Sequence, residues 1–348
     1  RSFTLKGMNH QTRYLDVPAM VELVHRVGIR PLIREIFAAM REDYIAWADF
    51  EKSPRSAVHS PVGVIERMPI AKQEQFSFKY VNGHPGNPAL GLPTVMAFGA
   101  LADVDTGYPV LLSEMTLLTG IRTAVASALA ASVLARPESR VMALIGNGAQ
   151  AEFQVLAFAE MIGITTVRLF DVDPAATDKV IRNLQAFPDL KLIRCASVAE
   201  ALEGADIITT ATADKTRAVI LTEQDLRPGL HINGIGGDCP GKTELSAELL
   251  RQARVVVQYE PQSRIEGDIQ QMPADYQAIE LWRILAGETE GRQSADQITI
   301  FDSVGFSIED FSALRTVLRL AETHQIGQTI PLIPDLADVK DLYGLLTP

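Results

Sequence analysis

The chain has 348 residues, 47% of them hydrophobic, and a formal charge of −11 at pH 7. That length and apolar content exceed what one α/β core usually holds, so two domains are expected. The acidic balance and the lack of a long Lys/Arg run argue against nucleic acid and membrane partners, no apolar stretch reads as approaching the roughly 18 residues of a membrane span, and two cysteines, Cys195 and Cys239, cannot frame a disulfide scaffold or a cysteine-rich zinc site.

A reduced, cytoplasmic enzyme without a metal fits these bounds. Arg1–Gly7 lack the apolar core of a signal peptide and are set aside, with Met8 a possible start. Asp16 is placed to cap a helix with Pro18 in its first turn and Met20, Leu23, Val24 and Val27 on one stripe, stopped by Gly28. A second helical stripe follows Pro31 through Leu32, Ile33, Ile36, Phe37, Met40 and Tyr44. From Ser56 the period shortens: Val62–Ile70, Gln75–Val81, Thr94–Ala102 and Pro109–Ser113 read as strands, with a hairpin turn at Asp105-Thr106-Gly107. The N-terminal part is thus helices plus a largely antiparallel sheet, followed by an Ala-rich helix over Thr119–Ala135.

The apolar run Val141–Ile145 leads into Gly146-Asn147-Gly148-Ala149-Gln150-Ala151, and a helix-compatible stretch follows from Glu152. A second strand-like run, Val167–Phe170, ends in Asp171, twenty positions beyond Ala151. This is the layout of a dinucleotide-binding turn. The first glycine allows the tight turn, the second lets main-chain N–H groups approach a pyrophosphate, and the small third residue permits close helix–sheet packing. Asp171 would take the ribose hydroxyls and, with Asp173 nearby, repel a 2′-phosphate, so NAD is expected rather than NADP. Strand and helix candidates then alternate: strands at Leu190–Arg194, Asp206–Thr212, Leu230–Gly236, Val255–Tyr259 and Gln297–Phe301, helices at Ser197–Leu202, Thr243–Ala253 and Ile308–His324. Such alternation predicts an open parallel sheet whose ligand lies at the carboxyl ends of its strands, and a tail, Gly327–Pro348, free to return to the first domain.

Gly236-Gly237-Asp238-Cys239-Pro240-Gly241-Lys242 follows the fifth strand of that sheet, where Asp238 is either a proton acceptor or a cap for the next helix. Glu66 and Lys79 interrupt apolar strands, so they face water or line a site. Arg55 and Arg122 do not stand out alone, although arginine is the side chain whose planar fork matches a carboxylate. Cys239 reads as a small filler rather than a nucleophile, and His59 and His84 carry no assigned role.

Taken together, Phe78-Lys79-Tyr80-Val81-Asn82-Gly83-His84-Pro85, Ile145–Gln150, Gly236–Leu245 and Phe301-Asp302-Ser303-Val304-Gly305 resemble the ornithine cyclodeaminase and mu-crystallin family, especially its long bacterial cyclodeaminases, from about Tyr14 to Leu345. The resemblance implies an α/β fold in which a Rossmann-type NAD domain, 124–319, follows an N-terminal α+β domain for substrate binding and dimerisation, 1–123, to which 320–348 returns. It implies a homodimer that turns L-ornithine into L-proline and ammonia without net redox change. Asp238 would then be the general acid/base, Glu66 would engage the distal amine with it, Arg55, Lys79 and Arg122 would hold the carboxylate, and Val304 would line the substrate. NAD contacts are implied at Thr94, Arg122, Gly146, Gly148, Ala149, Gln150, Asp171, Thr212, Asn233, Gly234, Ile235, Lys242 and Ser303. A net amino-acid dehydrogenase or ketimine reductase, a lysine cyclodeaminase and a cofactor-binding storage protein are the alternatives.

Overall fold

The computed structural model of the chain describes residues 11–212, 219–237 and 239–347. In chain order these form β1 (Thr12–Leu15), α1 (Val17–Val27), α2 (Ile29–Ile45), β2 (Phe50–Glu51), β3 (Ser56–Ser60), β4 (Gly63–Lys72), β5 (Gln75–Gly83), β6 (Ala97–Asp103), β7 (Pro109–Glu114) and α3 (Thr116–Leu134). Then come β8 (Val141–Ile145), α4 (Ala151–Ile162), β9 (Thr166–Phe170), α5 (Pro174–Asn183), β10 (Lys191–Arg194), α6 (Val198–Leu202), β11 (Ile207–Thr210), β12 (His231–Gly234) and α7 (Ala247–Arg251). The chain closes with β13 (Arg254–Val257), α8 (Glu260–Glu266), β14 (Ile279–Glu280), α9 (Leu281–Leu285), β15 (Thr299–Asp302), α10 (Ser307–His324) and β16 (Gln328–Ile330).

Two eight-stranded sheets organise these elements. The first runs β16-β1-β7-β6-β5-β4-β2, with β3 on β4, and is antiparallel except where β1 lies parallel to β7. The short β1, unmarked by any alternation in the sequence, joins the chain's start to β7, and β16 pairs with it from the far end. The second sheet runs β10-β9-β8-β11-β12-β15-β13-β14, and its pairs are parallel. It is the open sheet that strand–helix alternation predicts.

Local chemistry explains several boundaries. The Asp16 carboxylate accepts from Ala19 N at 2.9 Å and Gly28 closes α1, as the capping pattern predicts. The helix expected over Thr243–Ala253 shrinks to α7 because its first residues are claimed elsewhere. Glu244 N and Leu245 N donate to Asp268 Oδ1, and Leu245 bridges to Leu221, which holds that stretch extended. One expectation is corrected: α3 is 19 residues long and apolar enough to cross a membrane. Its most apolar stretch is 78% buried inside the protein, where it serves as a core helix between the two sheets' helical layers.

Along β4 and β5 the period of two puts Glu66, Met68 and Ile70, and Ser77, Lys79 and Val81, on one face, all buried. What covers that face is α10, which packs against α2, α3 and strands β4–β6. The opposite face carries Ile65, Pro69, Phe76, Phe78, Tyr80 and Phe98, with Tyr80 stacked on Phe98 at 5.0 Å.

Candidate functional site

The nucleotide turn has the geometry its spacing predicts. β8 ends at Ile145, and Gly146 follows at φ +93°, where a Cβ would stand 2.5 Å from Ala211 O, so no other residue fits there. Asn147 N donates to Asp171 Oδ2 at 2.6 Å, tying the turn to the end of β9, while Asp173 N holds the other Asp171 oxygen at 2.8 Å. Gly148 and Ala149 are exposed, and a Cβ on Gly148 would meet nothing within 4 Å, which leaves open space above the main chain. Gln150 sits at the N-cap of α4 with a buried Oε1 that has no hydrogen-bond partner among the described residues. Open space over a glycine at a helix N-terminus suits an anion, and Asp171 keeps lone pairs for hydroxyl donors. The residues present fit a dinucleotide.

Of the other implied cofactor residues, Thr212, Asn233, Gly234, Ile235 and Ser303 lie at or just past the carboxyl ends of β11, β12 and β15. Thr212 N donates to Glu244 Oε1 at 2.8 Å, its hydroxyl donates to the same oxygen, and Lys242 Nζ donates to Thr212 O at 3.1 Å. Gly234 and Ile235 follow Asn233, whose side-chain Nδ2 donates to Gln154 Oε1 and Thr209 Oγ1. Ser303 Oγ accepts from Gln258 Nε2 at 2.7 Å. Thr94 lies apart in the β5–β6 loop, its carbonyl accepting from His84 N, and no hydrogen bond among the described residues links it to the nucleotide turn.

Asp238 lies outside the described residues. Its flanks are held from two segments: Gly236 N donates to Glu244 Oε2 at 2.9 Å, Gly241 N to Gln270 Oε1 at 2.7 Å, and Gln270 Nε2 reaches Cys239 O and Lys242 O. Asp302, at the end of β15, accepts from Asp268 N and Ile269 N at 2.9 Å, and Asp268 in turn holds Glu244 N and Leu245 N. Burial pushes the Asp302 carboxyl up to about 6, and burial together with the Asp302 charge pushes Asp268 well above the usual carboxylate range.

On the inner face of the first sheet the four charged residues singled out in sequence come together with acids that were not. Arg55 pairs with Glu66 at 2.9 Å and with Glu266 at 3.0 Å, and also donates to Val304 O and Gly305 O. Lys79 Nζ meets Asp310 at 2.8 Å; Arg122 meets Glu309 at 2.6 Å and Asp310 at 2.8 Å. Gly305, at φ +76°, lets this happen, since a Cβ there would lie 2.8 Å from Arg122 Nη1. Val304 is buried between Arg55 and Gln258, which accepts from its N–H. Burial, then the nearby Arg122 charge, lowers Lys79 to about 8, and burial raises Glu309 against the pull of Arg122. Glu309 also accepts from Tyr44 OH and Gln258 Nε2. Sequence reading missed Glu266, Glu309, Asp310 and Gln258. Glu309 and Asp310 stand in the first turn of α10, where acids are common for dipole reasons alone, so nothing local marks them as ion-pair partners.

Residues 17–324 match the model of the Ornithine cyclodeaminase/mu-crystallin family. An ornithine cyclodeaminase from Brucella suis biovar 1 (strain 1330) is 52% identical over 333 residues, 96% of this chain and 93% of that protein. A lysine cyclodeaminase solved for its recognition of L-lysine, L-ornithine and L-2,4-diamino butyric acid matches with a TM-score of 0.89 at 32% identity, covering 96% of this chain and 99% of that one. An archaeal alanine dehydrogenase dimer with bound NAD matches with a TM-score of 0.84 at 30% identity, covering 93% and 100%. A match of this extent, on a chain that carries both the nucleotide turn and the buried charged face, has one reading: the chain belongs to the ornithine cyclodeaminase/mu-crystallin family.

Proposed function

We propose that the protein is an NAD-dependent ornithine cyclodeaminase, converting L-ornithine to L-proline and ammonia. The observation that carries this reading is the buried charged face of the first sheet, where three cations stand with Glu66 at one end, in a chain 52% identical to an ornithine cyclodeaminase. Arg55, Lys79 and Arg122 suit an amino-acid carboxylate, and the two guanidinium forks give it direction. Glu66, paired to Arg55, supplies the opposite charge that a distal ammonium needs and that alanine would not use.

Gly146, Gly148, Ala149 and Gln150 would cradle the cofactor pyrophosphate and Asp171 a ribose, with Thr94, Arg122, Thr212, the main chain of Asn233, Gly234 and Ile235, Lys242 and Ser303 completing its site. When bound, NAD supplies a reversible acceptor for the Cα hydride, so that a full turnover leaves no net redox change. The chain's own residues do the rest. Holding the carboxylate at one end and the distal amine at the other folds the substrate until the δ-nitrogen meets Cα, an intramolecular arrangement worth several orders of magnitude in rate. Asp238, which follows Gly237 in sequence, takes the proton that frees an amine and returns one to the departing ammonia. Val304 lines the aliphatic part of the substrate.

The domain division, 1–123 with 320–348 against 124–319, belongs to the same proposal; the strands of the first sheet, which fall in 12–114 and 328–330, support it. So does a homodimer through the outer face of that sheet, supported by the aromatic patch of Phe76, Phe78, Tyr80 and Phe98, the last 43% exposed. Cytoplasmic operation, where thiols such as Cys195 persist, completes it.

Incubation with ornithine and substoichiometric NAD, without NADH, tests the reaction. Proline and ammonia should appear in equal amounts with no steady accumulation of NADH; absence of proline, or NADH formed one for one, contradicts it. Lysine differs by one methylene, which a pocket discriminates by about 1–3 kcal/mol, so lysine should turn over at roughly 10–200-fold lower efficiency.

A further inference from the structure

We propose that Asp310 is a positioning residue for the carboxylate site: it aims Arg122 and keeps Lys79 in its ammonium form. The ligand in this statement rests on the cyclodeaminase reading; the geometry does not. Asp310 Oδ1 accepts from Lys79 Nζ at 2.8 Å and lies 2.8 Å from Arg122 Nε, so one oxygen on α10 serves a cation from β5 and another from α3. The Lys79 and Asp310 side chains are each 1% exposed, which leaves no solvent to replace the contact. The other oxygen, Oδ2, is buried without a hydrogen-bond partner among the described residues. An acid kept half-satisfied in the core, when an apolar residue would pack without that cost, points to a task other than stability.

The charges around Lys79 make the task specific. Burial does most to push its proton off, Arg122 from α3 and Arg55 from the segment before β3 push the same way, and Asp310 opposes them. Glu66 on β4 faces the same side but is engaged by Arg55, and Glu309 on α10 is engaged by Arg122, Tyr44 and Gln258. With Asp310 in place Lys79 titrates at about 8, just above neutrality. Without that carboxylate the lysine would give up its proton more readily, and an incoming carboxylate would more often meet two cations in place of three.

The sign is fixed by this arrangement. Lys79 is charged below its pKa, so the KM for ornithine should be low and flat on the acid side and rise as pH passes about 8. In Asp310→Asn the rise should begin about one pH unit lower or more, KM at pH 7.5 should climb about tenfold, and kcat should change far less. Asp310→Asn with Lys79→Arg should flatten the profile again, because arginine keeps its charge. A KM profile that Asp310→Asn shares with the parent, or a kcat loss with no shift along the pH axis, overturns the proposal. Should Asp310→Asn fail to fold, Asp310→Ser takes its place with the same outcomes: an alkaline rise moved to lower pH supports the proposal and an unmoved rise overturns it. NMR titration of lysine-labelled protein without substrate, with the Lys79 signal assigned by Lys79→Met, separates the two readings. A parent that makes no proline sinks the cyclodeaminase reading, while a Lys79 midpoint that falls in Asp310→Asn still upholds the role of Asp310, and one that stays in place removes it.

Discussion

At the carboxyl ends of β8 and β9 the protein prepares for its ligand with main chain: Gly146 at positive φ, the open side of Gly148, and an Asp171 carboxylate braced by two main-chain N–H groups. On the inner face of the first sheet it does so with side chains, and Lys79 and Arg122 find Asp310 and Glu309 across 231 and 187 residues of sequence. The first kind of site is written in consecutive residues and tolerates change in most side chains around it. The second fails member by member, because deleting one partner of a buried pair strands the other charge at a cost of about 3–5 kcal/mol.

Substitutions can push this contrast until it breaks. The largest effect is expected from the proposed acid/base: Asp238→Ala should lower proline formation by about 10²–10⁴-fold while NAD affinity, measured by fluorescence titration, stays within about twofold. A variant with full activity refutes the acid/base role. Gly146→Ala attacks the main-chain site alone. Positive φ and a 2.5 Å approach to Ala211 O should cost about 1–3 kcal/mol, seen as a weakening of NAD binding by about tenfold or more; unchanged affinity would mean that the turn is not the cofactor's seat. Glu66→Gln keeps the shape of the side-chain site but removes a charge. KM for ornithine should rise about tenfold with NAD affinity unaltered, and an equal rise for a monoamine such as alanine would contradict the assignment of Glu66 to the distal amine. The smallest effect belongs to Cys239→Ser, which should leave kcat within about twofold, since a filler contributes packing rather than chemistry.

Legibility follows the same contrast. The cap at Asp16, the stop at Gly28, the dinucleotide turn and the strand–helix alternation after it could be read from sequence because each is set by neighbours a few residues away. Glu66 and Lys79 could be read as charges within apolar strands but not placed on the inside, since the element that buries them, α10, lies some 230 residues further on. For the same reason nothing in the sequence sets Glu309 and Asp310 apart from ordinary first-turn acids. The helix expected over Thr243–Ala253 fails on a long-range competitor as well: Asp268 takes the main-chain N–H groups of Glu244 and Leu245 that would have begun it. The family resemblance supplied roles for Arg55 and Arg122 that no local pattern marks.

The central claim is that one carbon loses and regains the same hydride while the charged face holds the substrate in place. Ornithine deuterated at Cα tests it in a single experiment. Mass spectrometry of the product should find proline that keeps the deuterium at C2, formed with one ammonia and with no deuterium in the pool of free NADH. Proline that has exchanged its label for solvent hydrogen, or label released into free NADH, would contradict the account.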